Sequence, residues 1–171
     1  MQILQVPKED LKRIFGVFFK EVVFFIIAVF FLFFDGTYFN ENIFEAQNTL
    51  NVCMILAFLA MFYKANPRVR TLMIIGVILG FIGEHFFSKI LHMYTYRLGN
   101  VPLYVPFGHG VLYARIFRFS KASIVKKHQK AIETFLTILI IIIATIYVIA
   151  FFDVFGFLMT IGVFLILWIQ P

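Results

Sequence analysis

Ala131–Phe152 reads AIETFLTILIIIIATIYVIAFF. Apart from Glu133 near its start it carries no charge, and it is apolar on every side. The hydrocarbon core of a bilayer takes about 20 helical residues, with roughly 17 to 25 tolerated. Membrane strands alternate apolar and polar residues, which this run does not. A helix satisfies its own backbone groups inside lipid. The stretch therefore predicts a transmembrane helix, and the rest of the chain repeats the signal.

Downstream, after Phe152-Asp153-Val154, lies Val154–Ile169. Upstream lie Gly16–Phe34, Ala46–Tyr63, Thr71 to about Leu91, and about Val101–Phe119. The last of these is interrupted by Pro102, Pro106, Gly108 and Gly110. The expected fold is all-α: a polytopic bundle of six transmembrane helices with the fourth broken by prolines, or five if 154–169 lies along the interface. Composition agrees. Hydrophobic residues make up 62% of the chain and charged ones 14%, against about a quarter charged in soluble domains. Too little polar material is left to cover a water-facing surface. One membrane domain over 1–171 is the expected organisation.

The 15 Lys and Arg residues are distributed unevenly. Lys8, Lys12 and Arg13 precede span one, with Lys20 at its edge, and Lys64, Arg68 and Arg70 join spans two and three. Arg115, Arg118, Lys121, Lys126, Lys127 and Lys130 gather around the connection from span four to span five. Only Lys89 and Arg97 fall on the other side, where Asp35, Glu41, Glu45 and Asp153 lie instead. The positive-inside rule then places both termini in the cytoplasm and the protein in an inner membrane. The net charge of +6 reflects anchoring to lipid headgroups. No basic stripe outside these loops suggests nucleic acid.

The first residues do not read as a cleavable signal peptide. Leu11, Ile14, Phe15, Phe18, Phe19 and Val22 recur at helical spacing after Pro7. They predict either a short interfacial helix that bends into span one or an early start to that span. Cys53 lies in an apolar span without partners for a disulfide or a metal, and is read as a small packing residue.

Polar residues collect in one place, Gly83-Glu84-His85-Phe86-Phe87-Ser88-Lys89-Ile90-Leu91-His92-Met93-Tyr94-Thr95-Tyr96-Arg97. On a helix turning about 100° per residue, Glu84, His85, Ser88, Lys89 and His92 share an arc of about 140°. Gly76, Gly80 and Gly83 lie away from it, as a close-packing face. If the span starts at Thr71, Glu84 sits about 20 Å along its axis, in the outer half of the hydrocarbon. An ionisable group there is costly and points to function. The competing reading is a Glu84–Lys89 salt bridge with Lys89, His92 and Arg97 as interface anchors.

The fourth span bears on this choice. Pro102 and Pro106 disfavour helix before them, so Leu103-Tyr104-Val105 is expected to be extended and the helix to restart at Pro106. Irregular backbone at membrane depth lines a cavity or is buried in protein. His109 would then face Glu84 and His92 across a pocket, or else be an ordinary residue of a kinked helix. Glu84, His92 and His109 are the candidate catalytic residues. His85, Ser88, Tyr94, Tyr96, Arg97, Tyr104 and Tyr113 are the candidate substrate-binding residues. Desolvation favours the protonated carboxyl, the form that donates a proton to an alkene or carbonyl.

No metal is expected, since His85 and His92 are seven apart and no H-x-x-x-H occurs. No nucleotide loop, G-x-S-x-G elbow or Asp-rich magnesium motif is present, and no cofactor is called for. A non-catalytic role stays open: a small transporter, or a subunit whose Phe-rich first span and Gly-lined third span meet a second copy or a larger complex.

Gly80-Phe81-Ile82-Gly83-Glu84, Tyr94-x-Tyr96 and Val101-Pro102-Leu103-Tyr104-Val105-Pro106 together resemble one segment of the bisanhydrobacterioruberin-hydratase type of carotenoid hydratase. That family sets a Glu in an apolar helix before a Tyr-x-Tyr turn and a V-P-L-x-V-P run. Phe107-Gly108-His109-Gly110 departs from its aromatic-rich continuation. The resemblance implies an isoprenoid or lipid substrate, with Glu84 at the family's acidic position.

Overall fold

The computed structural model describes residues 6–36 and 46–169; Glu41 and Glu45 lie outside them. Among the described residues there is no strand. The helices are α1 (Lys8–Phe34), α2 (Gln47–Lys64), α3 (Pro67–His85) continued by a π-helical turn (Phe86–Ile90), α4 (Tyr104–Lys121), α5 (Ser123–Lys127), α6 (Gln129–Phe151) and α7 (Val154–Ile169). Three are long and apolar enough to cross a membrane: α1, α3 with its π turn, and α6. The all-helical, membrane-compatible class is therefore present.

The chain forms two compact units, Arg13–Ala122 and Met1–Lys12 with Ser123–Pro171. In the second, α6 and α7 pack together. Phe152 ends α6 in the left-handed conformation (φ 53°), and the Asp153 carboxylate accepts from the Gly156 N–H at 2.8 Å. In the first unit, α4 is the central element, packed on α2 and α3. Specific contacts set the direction of each neighbour. The Asn51 side chain accepts from the Tyr104 N–H (2.9 Å) and Phe58 meets Phe107 edge-on (5.1 Å), so α2 runs parallel to α4. Phe31 meets Tyr104 (5.9 Å), Arg115 pairs with Glu21 (3.1 Å) and Phe18 meets Phe119 (5.9 Å), so α1 runs antiparallel to it.

Local chemistry explains the boundaries. Asn66 caps α3 by accepting from the Val69 N–H at 2.9 Å, with Pro67 at its first position, where its missing N–H has no cost. Two glycines allow α3 to close on α4. A Cβ on Gly76 would lie 3.0 Å from the Gly110 Cα, and one on Gly110 would lie 2.7 Å from the Met73 carbonyl oxygen. Gly83 belongs to no such face, since nothing lies within 4 Å of its Cβ position.

Several expectations are corrected. α1 is one continuous helix, Lys8–Phe34, with no break between the stretch after Pro7 and the apolar run that follows it. Leu103 has helical angles and α4 begins at Tyr104, two residues before Pro106. Pro106 still falls in the first turn, where the absent donor is tolerated, so an extended 103–105 is not required. Cys53 is exposed and fills no internal space.

Candidate functional site

Glu84 stands one residue before the end of α3. There Leu91 donates to Phe86 O at 2.9 Å and Met93 to Phe87 O at 3.0 Å, a widened π-type turn of the kind frequent at functional sites. The buried Ser88 hydroxyl donates to the Glu84 carbonyl at 2.6 Å, pinning the start of this turn to the end of α3. His92 then adopts φ 50°, a conformation that stops the helix. The segment 91–103 folds back over the helix end.

That fold-back replaces the expected helical arc. His92 lies on an exposed turn and does not line the cavity beside Glu84, so it does not join Glu84 and His109. Tyr94 and Tyr96 take its place. Both hydroxyls donate to Glu84 Oε2, Tyr96 at 2.7 Å. His109, on the first turns of α4, donates from Nε2 to Glu84 Oε1 at 3.2 Å. Both carboxylate oxygens are thus engaged. Lys89 does not pair with Glu84; its ammonium donates to the Gly99 carbonyl instead. The Glu84–Lys89 salt bridge is therefore discarded.

The two phenols are set by their surroundings. Burial first, and the Glu84 carboxylate second, push the Tyr94 hydroxyl up to about 12. The same two causes push Tyr96 higher still. Both remain donors throughout the neutral range.

A cavity of about 410 Å³ opens beside these groups, within the size range of small-molecule sites. Phe24, Phe25, Ala28 and Leu32 of α1 form one wall; Val105, Val111 and Leu112 of α4 form another. The polar residues of the lining are Glu84, Tyr94, Tyr96 and His109, with the ring of Tyr104. The geometry supplies a carboxyl, an imidazole and two phenols at the edge of an apolar hollow.

The remaining candidates divide. Tyr104 lines the cavity, but its hydroxyl turns away to donate to Asp35 Oδ2 at 3.0 Å. Arg97 also serves Asp35, through an ion pair at 3.5 Å and an Nε bond to its carbonyl at 3.2 Å. His85 donates from Nδ1 to Phe81 O at 2.8 Å and lies over the Phe81 ring, outside the cavity lining. Tyr113 packs over Gly76 and is likewise outside it.

Asp35 is the residue that sequence reasoning missed, because by pattern it is only a loop acid. Its side chain is 5% exposed, and Oδ1 has no hydrogen-bond partner although Arg97 balances its charge. Through Arg97 it ties the 91–103 segment, and so both phenols, to the end of α1. Gln47 adds a second tie, donating to Asn100 at 3.2 Å. The only available signal was an acid directly after an apolar span with a lone Arg in the facing loop.

No group of three His, Cys, Asp or Glu residues is placed to hold a metal ion among the described residues. In comparisons with known proteins, no family model, no curated protein and no solved structure matches the chain.

Proposed function

We propose that this is a six-span inner-membrane protein, with both termini cytoplasmic and the Glu84 cavity in the outer half of the bilayer. We further propose that the cavity carries out acid/base chemistry on an apolar, membrane-dissolved lipid or isoprenoid. The observation that carries this reading is the convergence of Tyr94, Tyr96 and His109 on Glu84 beside an apolar hollow. A general acid must sit within hydrogen-bond reach of its proton partner and near its working pH. Hydration of an alkene is the reaction that the resemblance to carotenoid hydratases implies. His109 passes the proton of its Nε2 bond to Glu84 Oε1, the carboxyl so formed gives that proton to one alkene carbon, and water adds to the other. The proton that water loses returns to the carboxylate, directly or through His109, while the phenols hold the carboxylate in place.

Glu84 and His109 lie 3.2 Å apart and face each other, which supports the chemical reading over a partner subunit with these side chains turned outward in opposite directions. The test is Glu84→Gln in the purified protein, supplied with extracted membrane isoprenoids and water labelled with heavy oxygen. Incorporation of the label into an apolar product by wild type, and its loss in the variant at normal membrane insertion, is the expected result. Equal incorporation by both removes the acid/base role.

A further inference from the structure

We infer that the start of α6 holds a preformed pocket for the phosphate headgroup of an anionic lipid, a site separate from the Glu84 chemistry. A second cavity, of about 570 Å³, is lined by Lys126, Lys127, His128, Lys130 and Glu133, with Val6 at its edge. Its wall is fixed from behind. Asp10 Oδ2 accepts from Lys127 Nζ at 2.6 Å and from His128 Nε2 at 2.8 Å. The Asp10 and His128 side chains are 13% and 14% exposed, so this contact is sheltered and holds the 126–128 turn in shape.

With Lys127 committed to Asp10, the charge offered to a ligand comes from Lys126 and Lys130. Neither has a carboxylate partner among the described residues. One acid, Glu133, opposes them, and Gln129 donates to its Oε1 at 2.7 Å. Gln129 and Ala131 of the first turn of α6 also line the cavity, and His128 supplies no side-chain cap to that turn, whose amides add to the attraction for an anion.

The character of α6 favours a lipid over a free phosphate. Apart from Glu133 the helix carries no charge from Ala131 onward, and it is long and apolar enough to cross a membrane. An acyl chain lying along α6 would bring its phosphate to the first turn, where the pocket is. Basic pockets at the ends of membrane helices recognise anionic headgroups in this way.

The test uses the full chain in nanodiscs of phosphatidylcholine with a minority of phosphatidylglycerol, and counts retained lipids by native mass spectrometry. Phosphatidylglycerol should be retained over phosphatidylcholine by roughly tenfold or more. Lys126→Gln/Lys130→Gln should bring it down to the phosphatidylcholine level. Glu133→Gln should strengthen retention, which keeps the inference testable if the double variant folds poorly. Lys20→Gln/Lys64→Gln, an equal charge change outside the pocket, should leave retention intact. Equal loss in that control, or no preference in wild type, overturns the pocket. Displacement of the lipid by millimolar inorganic phosphate would assign the site to a soluble anion and overturn the lipid assignment.

Discussion

Gly80 and His109 are in direct contact: a methyl group on Gly80 would stand 2.8 Å from the His109 Cβ. The absence of a side chain at position 80 therefore sets how closely α4 approaches α3, and with it the 3.2 Å bond between His109 and Glu84.

Gly80→Ala should drive the imidazole off Glu84 and destabilise the fold by about 1–3 kcal/mol, the usual cost of overpacking. Gly83→Ala, where nothing lies within 4 Å, should be neutral or stabilising by about 0.5–1 kcal/mol, because Gly is the poorer helix former. Thermal unfolding in detergent compares the two. Equal midpoints would mean that α3 and α4 are not in this contact.

Gly110→Ala should be worse than Gly80→Ala. Its Cβ would meet the Met73 carbonyl oxygen at 2.7 Å and Val77 Cγ2 at 2.8 Å, and a backbone oxygen cannot swing aside as an imidazole can. Loss of monodisperse protein on size exclusion is the expected readout, with Gly108→Ala as the tolerated comparison, since its Cβ would touch only Met54 Cε at 3.8 Å.

Glu21 and Arg115 join α1 to α4 at 3.1 Å, with side chains 14% and 17% exposed and the guanidinium over the Phe24 ring. Removing one partner leaves the other charge sheltered and unpaired. Glu21→Gln or Arg115→Met alone should cost somewhat less than the roughly 3–5 kcal/mol of a fully buried pair. The double variant should recover much of that loss. A double-mutant cycle on unfolding measures the coupling, and strict additivity would mean that the pair contributes nothing.

Tyr94 should titrate near pH 12 rather than at its ordinary value of 10. The folded state holds the phenolic proton more tightly than the unfolded chain. Its contribution to stability is therefore complete below pH 10 and lost between about 10 and 12. Ultraviolet difference titration of wild type against Tyr94→Phe isolates this phenol. Glu84→Gln, by removing the carboxylate, should bring its midpoint down.

Residue pattern alone was enough for the all-helical, membrane-compatible class, and it singled out Glu84 and offered His109 as one of its possible partners. The reason is physical. A bilayer demands about 20 apolar residues in sequence, and an acid inside such a run stands out without any knowledge of packing. The choice between His92 and the two tyrosines could not be made that way. It depended on α3 widening into a π turn at Phe86–Ile90 and ending at His92, which takes the 91–97 residues off the helical wheel and returns Tyr94 and Tyr96 to Glu84. Asp35 was equally hidden, since its partners Arg97 and Tyr104 lie more than sixty positions away. Composition records what a membrane admits, position by position. Which side chains meet inside it is settled by contacts between distant segments, and those exist only once the chain has folded.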